Sequence, residues 1–125
     1  MFLDTNFLID LEQELLTKQT GPARRFLGRR RTERHHVSMI AAGELAAGLD
    51  DNELARAFLS RFRIVPLKLE IALEAARIDR QLAQTGARLG ENDNWIAGFA
   101  SYYGLPLVSN DGAFDRVPGL RRLGY

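Results

Sequence analysis

Four acidic residues stand out by their surroundings: Asp4, Glu44, Asp93 and Asp111. Asp4 ends the apolar run Met1-Phe2-Leu3, and Asp111 closes Ser109-Asn110-Asp111 directly after a second such run, Leu105-Pro106-Leu107-Val108. Glu44 is the one carboxylate within Met39-Ile40-Ala41-Ala42-Gly43-Glu44-Leu45-Ala46-Ala47-Gly48. An ionised group in such company is costly unless it has a partner or a metal; the plain alternative is a helix position that faces water. Asp93 follows Asn92, which reads as an N-cap, so it falls in a first helical turn where the helix dipole favours the ionised form. A charged first turn is also an ordinary way to start a helix. Carboxylates brought together repel one another, so a cluster of them needs protons or cations to hold it. The chain has no cysteine, and His35 and His36 are strand neighbours that point to opposite faces, unlike a helical i, i+4 pair. Oxygen ligands alone point to a hard divalent cation, Mg²⁺ or Mn²⁺. Such an ion attracts a phosphate oxygen and lowers the pKa of its water, which is what hydrolysis of a phosphodiester by in-line attack requires.

The elements that must position these acids follow from hydrophobic periodicity. A strand that is apolar at every position, as before Asp4, is covered on both faces and belongs in the middle of a parallel sheet, whose ligands bind beyond the carboxyl ends of the strands. Thr5 and Asn6 favour a turn and cap, and a helix is predicted from Thr5 to about Leu16. Thr20-Gly21-Pro22 breaks it, and a second helix runs from Ala23 to about Thr32. Val37-Ser38 reads as a strand, with Ser38 capping the helix that carries Glu44. Asp50-Asp51-Asn52 caps a helix to about Phe62, and Ile64 to Leu67 forms a strand whose Pro66 marks a strand end or a sheet edge. A long helix, Leu69 to about Gln84, buries Ile71, Ala75, Ile78 and Leu82. The Asp93 helix runs to Gly104, a strand follows over 105–108, and weak strand character at Leu120 to Leu123 finishes the sheet. This alternation predicts one α/β domain, residues 1–125, with a short, mostly parallel sheet.

Composition excludes several classes. Without cysteine there is no disulfide or thiolate chemistry, and a reduced cytoplasmic setting is expected. No secretory leader pattern and no apolar run of membrane-spanning length is visible. The net charge of +1 hides an asymmetry, since all of the 17 basic residues except Lys18 and Lys68 are arginine. Arg24, Arg25, Arg29, Arg30 and Arg31 crowd the second helix around Phe26 and Leu27 alone. A charge run of this kind usually forms a solvated face, the reading preferred here; a phosphate-contacting patch is the other.

Phe2-Leu3-Asp4-Thr5-Asn6, the lone Glu44, Asn92-Asp93-Asn94-Trp95-Ile96-Ala97, and Leu107-Val108-Ser109-Asn110-Asp111 with Phe114 and Arg116-Val117-Pro118-Gly119-Leu120 together resemble the PIN-domain ribonucleases, specifically the VapC toxins of toxin-antitoxin pairs. The motifs are individually weak but occur in the family's order over nearly the whole chain. The resemblance implies a three-layer α/β/α sandwich and an endoribonuclease dependent on Mg²⁺ or Mn²⁺. It places Asp4, Glu44 and Asp93 on the family's core acids and Asp111 on its more variable fourth. Asn6 and Ser109 match the polar residues that support the site. It further implies a cytoplasmic homodimer and a small VapB-like antitoxin whose C-terminal segment covers the active-site groove.

In some relatives the last acid stands beside the phenylalanine, so Asp115 is an alternative to Asp111, which is preferred because it directly follows a strand. Glu91 is a further candidate, more simply a helix-start charge. Gly98-Phe99 departs from the family's small residues at this point. A receiver-like phosphotransfer domain also places acids at strand ends, but neither lysine stands at one. A non-catalytic PIN-like scaffold binding RNA or protein is the remaining alternative, and it gives no reason to keep Glu44 in an apolar helix.

Overall fold

The computed structural model describes residues 1–125 as an alternation of strands and helices. In chain order these are β1 (Phe2–Leu3), α1 (Thr5–Leu16), α2 (Pro22–Gly28), β2 (His36–Ser38), α3 (Met39–Ala47), α4 (Asn52–Leu59), β3 (Arg63–Val65), α5 (Leu69–Ala83), α6 (Glu91–Tyr103), β4 (Leu107–Val108) and β5 (Arg122–Leu123). A short 3-10 turn, Gly112–Arg116, links β4 to β5. The strands are all parallel in the order β3-β2-β1-β4-β5. Adjacent strand residues point to opposite faces, and Phe2 and Leu3 are each only 1% exposed, so helices cover the central strand on both sides. The fold is the expected α/β sandwich.

Parallel pairing decides where chemistry can collect. Every strand ends at the same edge, and β1 stands where the chain order reverses, with β2 and β3 on one side and β4 and β5 on the other. Such a switch point opens a crevice beyond the strand ends. A helix that leads into a parallel strand runs against it, so the first turn of α6 lies at this edge too. The register Leu3↔Val108 puts the following residues, Asp4 and Ser109, side by side.

Several predicted boundaries move, each for a local reason. α2 stops at Gly28 instead of Thr32, because beyond Leu27 no apolar residue remains to bury before β2. α4 stops at Leu59; Phe62 packs from the following turn, with its ring centroid 5.6 Å from that of Phe58. β3 covers Arg63–Val65 and ends before Pro66, at the sheet edge as expected. β4 shortens to Leu107–Val108, after a proline that has no N–H to give the ladder. The cap of α6 is Gly90, not Asn92: the Asn94 amide already donates to Gly90 O at 2.9 Å, which leaves Asn92 inside the helix. The Ile71, Ala75, Ile78 and Leu82 stripe of α5 is buried as predicted, and Ser38 caps α3 by accepting from the Ala41 amide at 3.0 Å.

The Gly98-Phe99 departure has a packing reason. Phe99 is fully buried, 6.0 Å from the Phe2 ring between centroids. Beside it, a Cβ on Gly98 would lie 2.8 Å from Ala75 Cβ and 3.2 Å from the Ala75 backbone, so glycine sets how closely α5 and α6 approach. Overpacking costs about 1–3 kcal/mol, and alanine's helix preference returns about 1. Gly98→Ala is therefore expected to lower stability by up to about 2 kcal/mol. Gly43 lies inside α3 with nothing within 4 Å of the added atom, and Gly43→Ala should raise stability by about 0.5–1 kcal/mol. Urea denaturation of the two variants beside the parent checks both signs.

Candidate active site

Asp4 is the buried centre of the carboxyl edge, only 3% exposed. It is itself the N-cap of α1, the role expected of Thr5 or Asn6: Oδ1 accepts from the Thr5 amide at 2.8 Å. Oδ2 accepts from Ser109 Oγ at 2.7 Å. Ser109, 1% exposed, also accepts the Asp111 amide on the same hydroxyl at 3.0 Å, so one side chain links both strand-end acids. Burial pushes the Asp4 carboxyl above its ordinary range; the bonds from Ser109 and Thr5 pull it back, and the charges of Asp111 and Glu44 push it further up.

Glu44 is half-buried on α3 and turned towards the same edge, where Oε1 accepts from Thr5 Oγ1 at 2.8 Å. The carboxylate that looked stranded among alanines thus has a specific partner in Thr5. Thr5 is the supporting residue that sequence reasoning missed, and its signal was a hydroxyl directly after the strand-end acid at a buried helix start. Asn6, expected to support the site, is exposed on α1, and its side chain hydrogen-bonds to no other residue.

Asp93 occupies the first turn of α6, half-buried, with no hydrogen-bond donor and no basic partner. Its carboxyl is pushed up from 3.8 to about 6, first by burial and then by the charges of Asp4, Asp111 and Glu44. The favourable helix dipole expected there is outweighed. Asp4 and Asp93 therefore each lie within electrostatic reach of Glu44 and Asp111, and Asp93 within reach of Asp4. None of them forms an ion pair within 4 Å.

Asp111 is exposed at the rim and caps the 3-10 turn by accepting from the Ala113 amide at 2.9 Å. Asp115 is otherwise engaged: both of its oxygens take Arg122 N–H groups at 2.9 Å, which holds its carboxyl below the usual range. The same guanidinium donates to Ser109 O at 3.1 Å and so braces the loop between the two acids. Glu91 is exposed in the first turn of α6, and its charge is absent from those that shift Asp4 and Asp93.

The donor set fits a hard cation. Asp93 is a half-buried carboxylate without donor or counter-charge beside other acids, which is an uncompensated charge a divalent ion would satisfy. No group of three acidic or histidine side chains is arranged to hold a metal directly. Mg²⁺ commonly takes one or two carboxylates and fills its octahedron with water, so a pair is enough.

The raised Asp93 carboxyl makes stability depend on pH in a definite direction. Folded Asp93 keeps its proton to about pH 6, whereas the unfolded side chain releases it near 3.8. The folded state thus binds more protons in this window, and stability falls as pH rises through it. Asp4, shifted the same way, adds to the slope. In EDTA, unfolding free energy is expected to drop between about pH 4 and pH 6, the Asp93→Asn variant to be flatter, and Mg²⁺ to stabilise the parent at pH 7 more than at pH 4. Denaturant titrations across pH measure all three.

Comparison with known proteins agrees with this fold. The PIN domain model matches residues 1–120. The chain is 31% identical over 98 residues to the tRNA(fMet)-specific endonuclease VapC of Salmonella typhimurium, covering 72% of this chain and 74% of that protein. It is 37% identical over 93 residues to Ribonuclease VapC2 of Haemophilus influenzae, covering 68% and 70%. Among solved structures, a DNA-bound VapBC of Salmonella typhimurium superposes with a TM-score of 0.81 at 29% identity, covering 98% of this chain and 96% of that one. VapBC2 of Rickettsia felis, at 24% identity and a TM-score of 0.82 over 99% and 97% of the two chains, shares the fold. The chain therefore belongs to the PIN-domain family, among its VapC ribonucleases.

Proposed function

We propose that Asp4, Glu44, Asp93 and Asp111 form the catalytic site of an endoribonuclease that cleaves RNA phosphodiesters with Mg²⁺ or Mn²⁺. Dependence on a divalent metal is general in the family. The observation that carries the assignment is Asp93, pushed to about 6 by burial and by three neighbouring acids with no counter-charge beside it. When bound, the cation supplies positive charge for a phosphate oxygen and acidifies the attacking water. The chain's own residues prepare the pocket. Asp4 is held by Ser109 and the Thr5 amide, so its carboxylate needs no reorganisation. Thr5 aims Glu44 from across the crevice. Asp93 offers unbonded oxygens, and Asp111 stands at the exposed rim where a strand of RNA enters.

The biological role proposed is that of the toxin in a VapBC-type pair, with a VapB-like antitoxin as partner. Support comes from the relatives of known structure, which include VapBC of Salmonella typhimurium and VapBC-1 of nontypeable Haemophilus influenzae. No helix is long and apolar enough to cross a membrane. A second copy of the chain is the proposed cover for the apolar surface where α5 begins and α6 ends. Leu69 and Leu73 are 67% and 58% exposed there, beside Tyr102 and Tyr103.

Purified protein should cleave single-stranded RNA with Mg²⁺ or Mn²⁺ and stop in EDTA. Asp4→Asn and Asp93→Asn should each slow cleavage at least about a hundredfold while remaining folded by circular dichroism. Undiminished cleavage in EDTA would defeat the metal mechanism. For the dimer, Leu73→Arg is expected to shift sedimentation from two chains to one; an unchanged mass would remove that surface from the interface.

A further inference from the structure

The arginine run reads from sequence as a solvated face; Arg25 and Arg29 are indeed exposed, and together with Arg30 they also line a groove. Arg25, Arg29 and Arg30 recur at i, i+4 and i+5, so the helix and the turn that ends it present them together. They form one wall of an open groove of about 600 Å³ whose other wall is Asn110 and Tyr125. Asn110 stands between Ser109, which holds Asp4, and Asp111. The groove therefore borders the loop that carries these residues, at Asn110.

Its second wall is built rigidly. Asn110 Nδ2 donates to Tyr125 O at 3.0 Å and the Tyr125 amide donates back to Asn110 Oδ1 at 2.8 Å. The Tyr125 ring is braced edge-on by Phe7, 4.7 Å between centroids, and its hydroxyl donates to Asp10. The first wall keeps its charge available. Arg29 makes no ion pair or side-chain hydrogen bond. Arg25 gives one N–H to Thr20 O at 2.8 Å, and Arg30 lies over the Phe26 ring at 3.9 Å with Glu33 no nearer than 3.9 Å. A guanidinium has five donors, so most remain unused.

We propose that this groove guides the RNA strand next to the scissile phosphate, with Arg25, Arg29 and Arg30 as positioning residues on its phosphates. The inference rests on the ribonuclease reading and says how that site holds a polyanion its own acids repel. Phosphate contacts fix register without reading bases, so the groove serves any sequence.

The test is fluorescence-anisotropy binding of labelled oligouridylate and oligoadenylate across a salt series, in the Asp93→Asn background with Mg²⁺. Removing one arginine–phosphate interaction with a single strand lowers the slope of log affinity against log salt by about 0.7. Arg25→Gln and Arg29→Gln are expected to do so equally for both oligonucleotides, Arg29→Lys to retain the slope, and Arg56→Ala on α4 to match the parent. Slopes that stay at the parent value while the wild type still cleaves RNA would overturn the groove and leave the nuclease reading standing. Variants that weaken only the capture of a VapB-type antitoxin would likewise overturn the groove alone. An oligonucleotide that the parent does not bind at all, and the wild type does not cut, would overturn both.

Discussion

The hydrogen bond from Ser109 Oγ to Asp4 Oδ2 joins residues 105 positions apart and depends on a register the whole sheet must keep. β1 and β4 pair Leu3 with Val108, and the Asp4 amide donates to Val108 O at 3.0 Å. Phe2, Leu3, Leu107 and Val108 are all buried on alternating faces, so a slip of one residue would swap which helical layer each packs against. The register that buries these four is also the one that sets a hydroxyl against a buried carboxylate. Packing in the core and geometry at the edge are thus one constraint. The loop is secured from the far side by Arg122 on β5, which reaches Ser109 O while paired with Asp115.

Placing acids at such an edge works against stability. Burial and mutual repulsion raise Asp4 and Asp93 towards protonation, and no arginine or lysine pairs with them although the chain has 17 basic residues. A neutralising arginine would relieve the repulsion, but it would also fill the space that the proposed cation would take. The hydrogen bonds to Asp4 and Glu44 come from neutral groups, the Thr5 amide and the Thr5 and Ser109 hydroxyls, which orient the oxygens without cancelling their charge. The fold thus keeps a destabilised pocket at the end of a well-packed sheet, as functional sites commonly do.

What could be read from sequence was whatever local pattern or burial decides. A run such as Met1-Phe2-Leu3 ending in an acid reads as an interior strand, the α5 stripe has a helical period, and Ser38 and Pro66 carry their meaning in their own backbone chemistry. Boundaries were less legible, since α2 ends where tertiary burial runs out and α6 is capped by Gly90, which offers no side chain to recognise. Among the site residues, Asp111 was preferred to Asp115 for its place directly after a strand; that Asp115 is also held by Arg122 from β5 lay beyond the reach of spacing. Thr5 was hidden for a similar reason: its partner Glu44 lies 39 residues away.

The arginine run shows how far composition can mislead about electrostatics. A net charge of +1 suggests a protein indifferent to polyanions, yet the sum conceals two opposed fields that meet at the loop from Ser109 to Asp111. Carboxylates without ion pairs lie on one side of this loop and, on the other, guanidinia of which Arg29 is unpaired, Arg25 bonds only a carbonyl and Arg30 has Glu33 at 3.9 Å. Screening at physiological salt acts over about 8 Å, so neighbouring fields of opposite sign remain distinct to a ligand in contact with both. On the proposed reading, a cation and a phosphate chain would be drawn to different sides of the same loop. On that reading, their separation leaves the acids free for a metal beside the bound strand without the arginines neutralising them first.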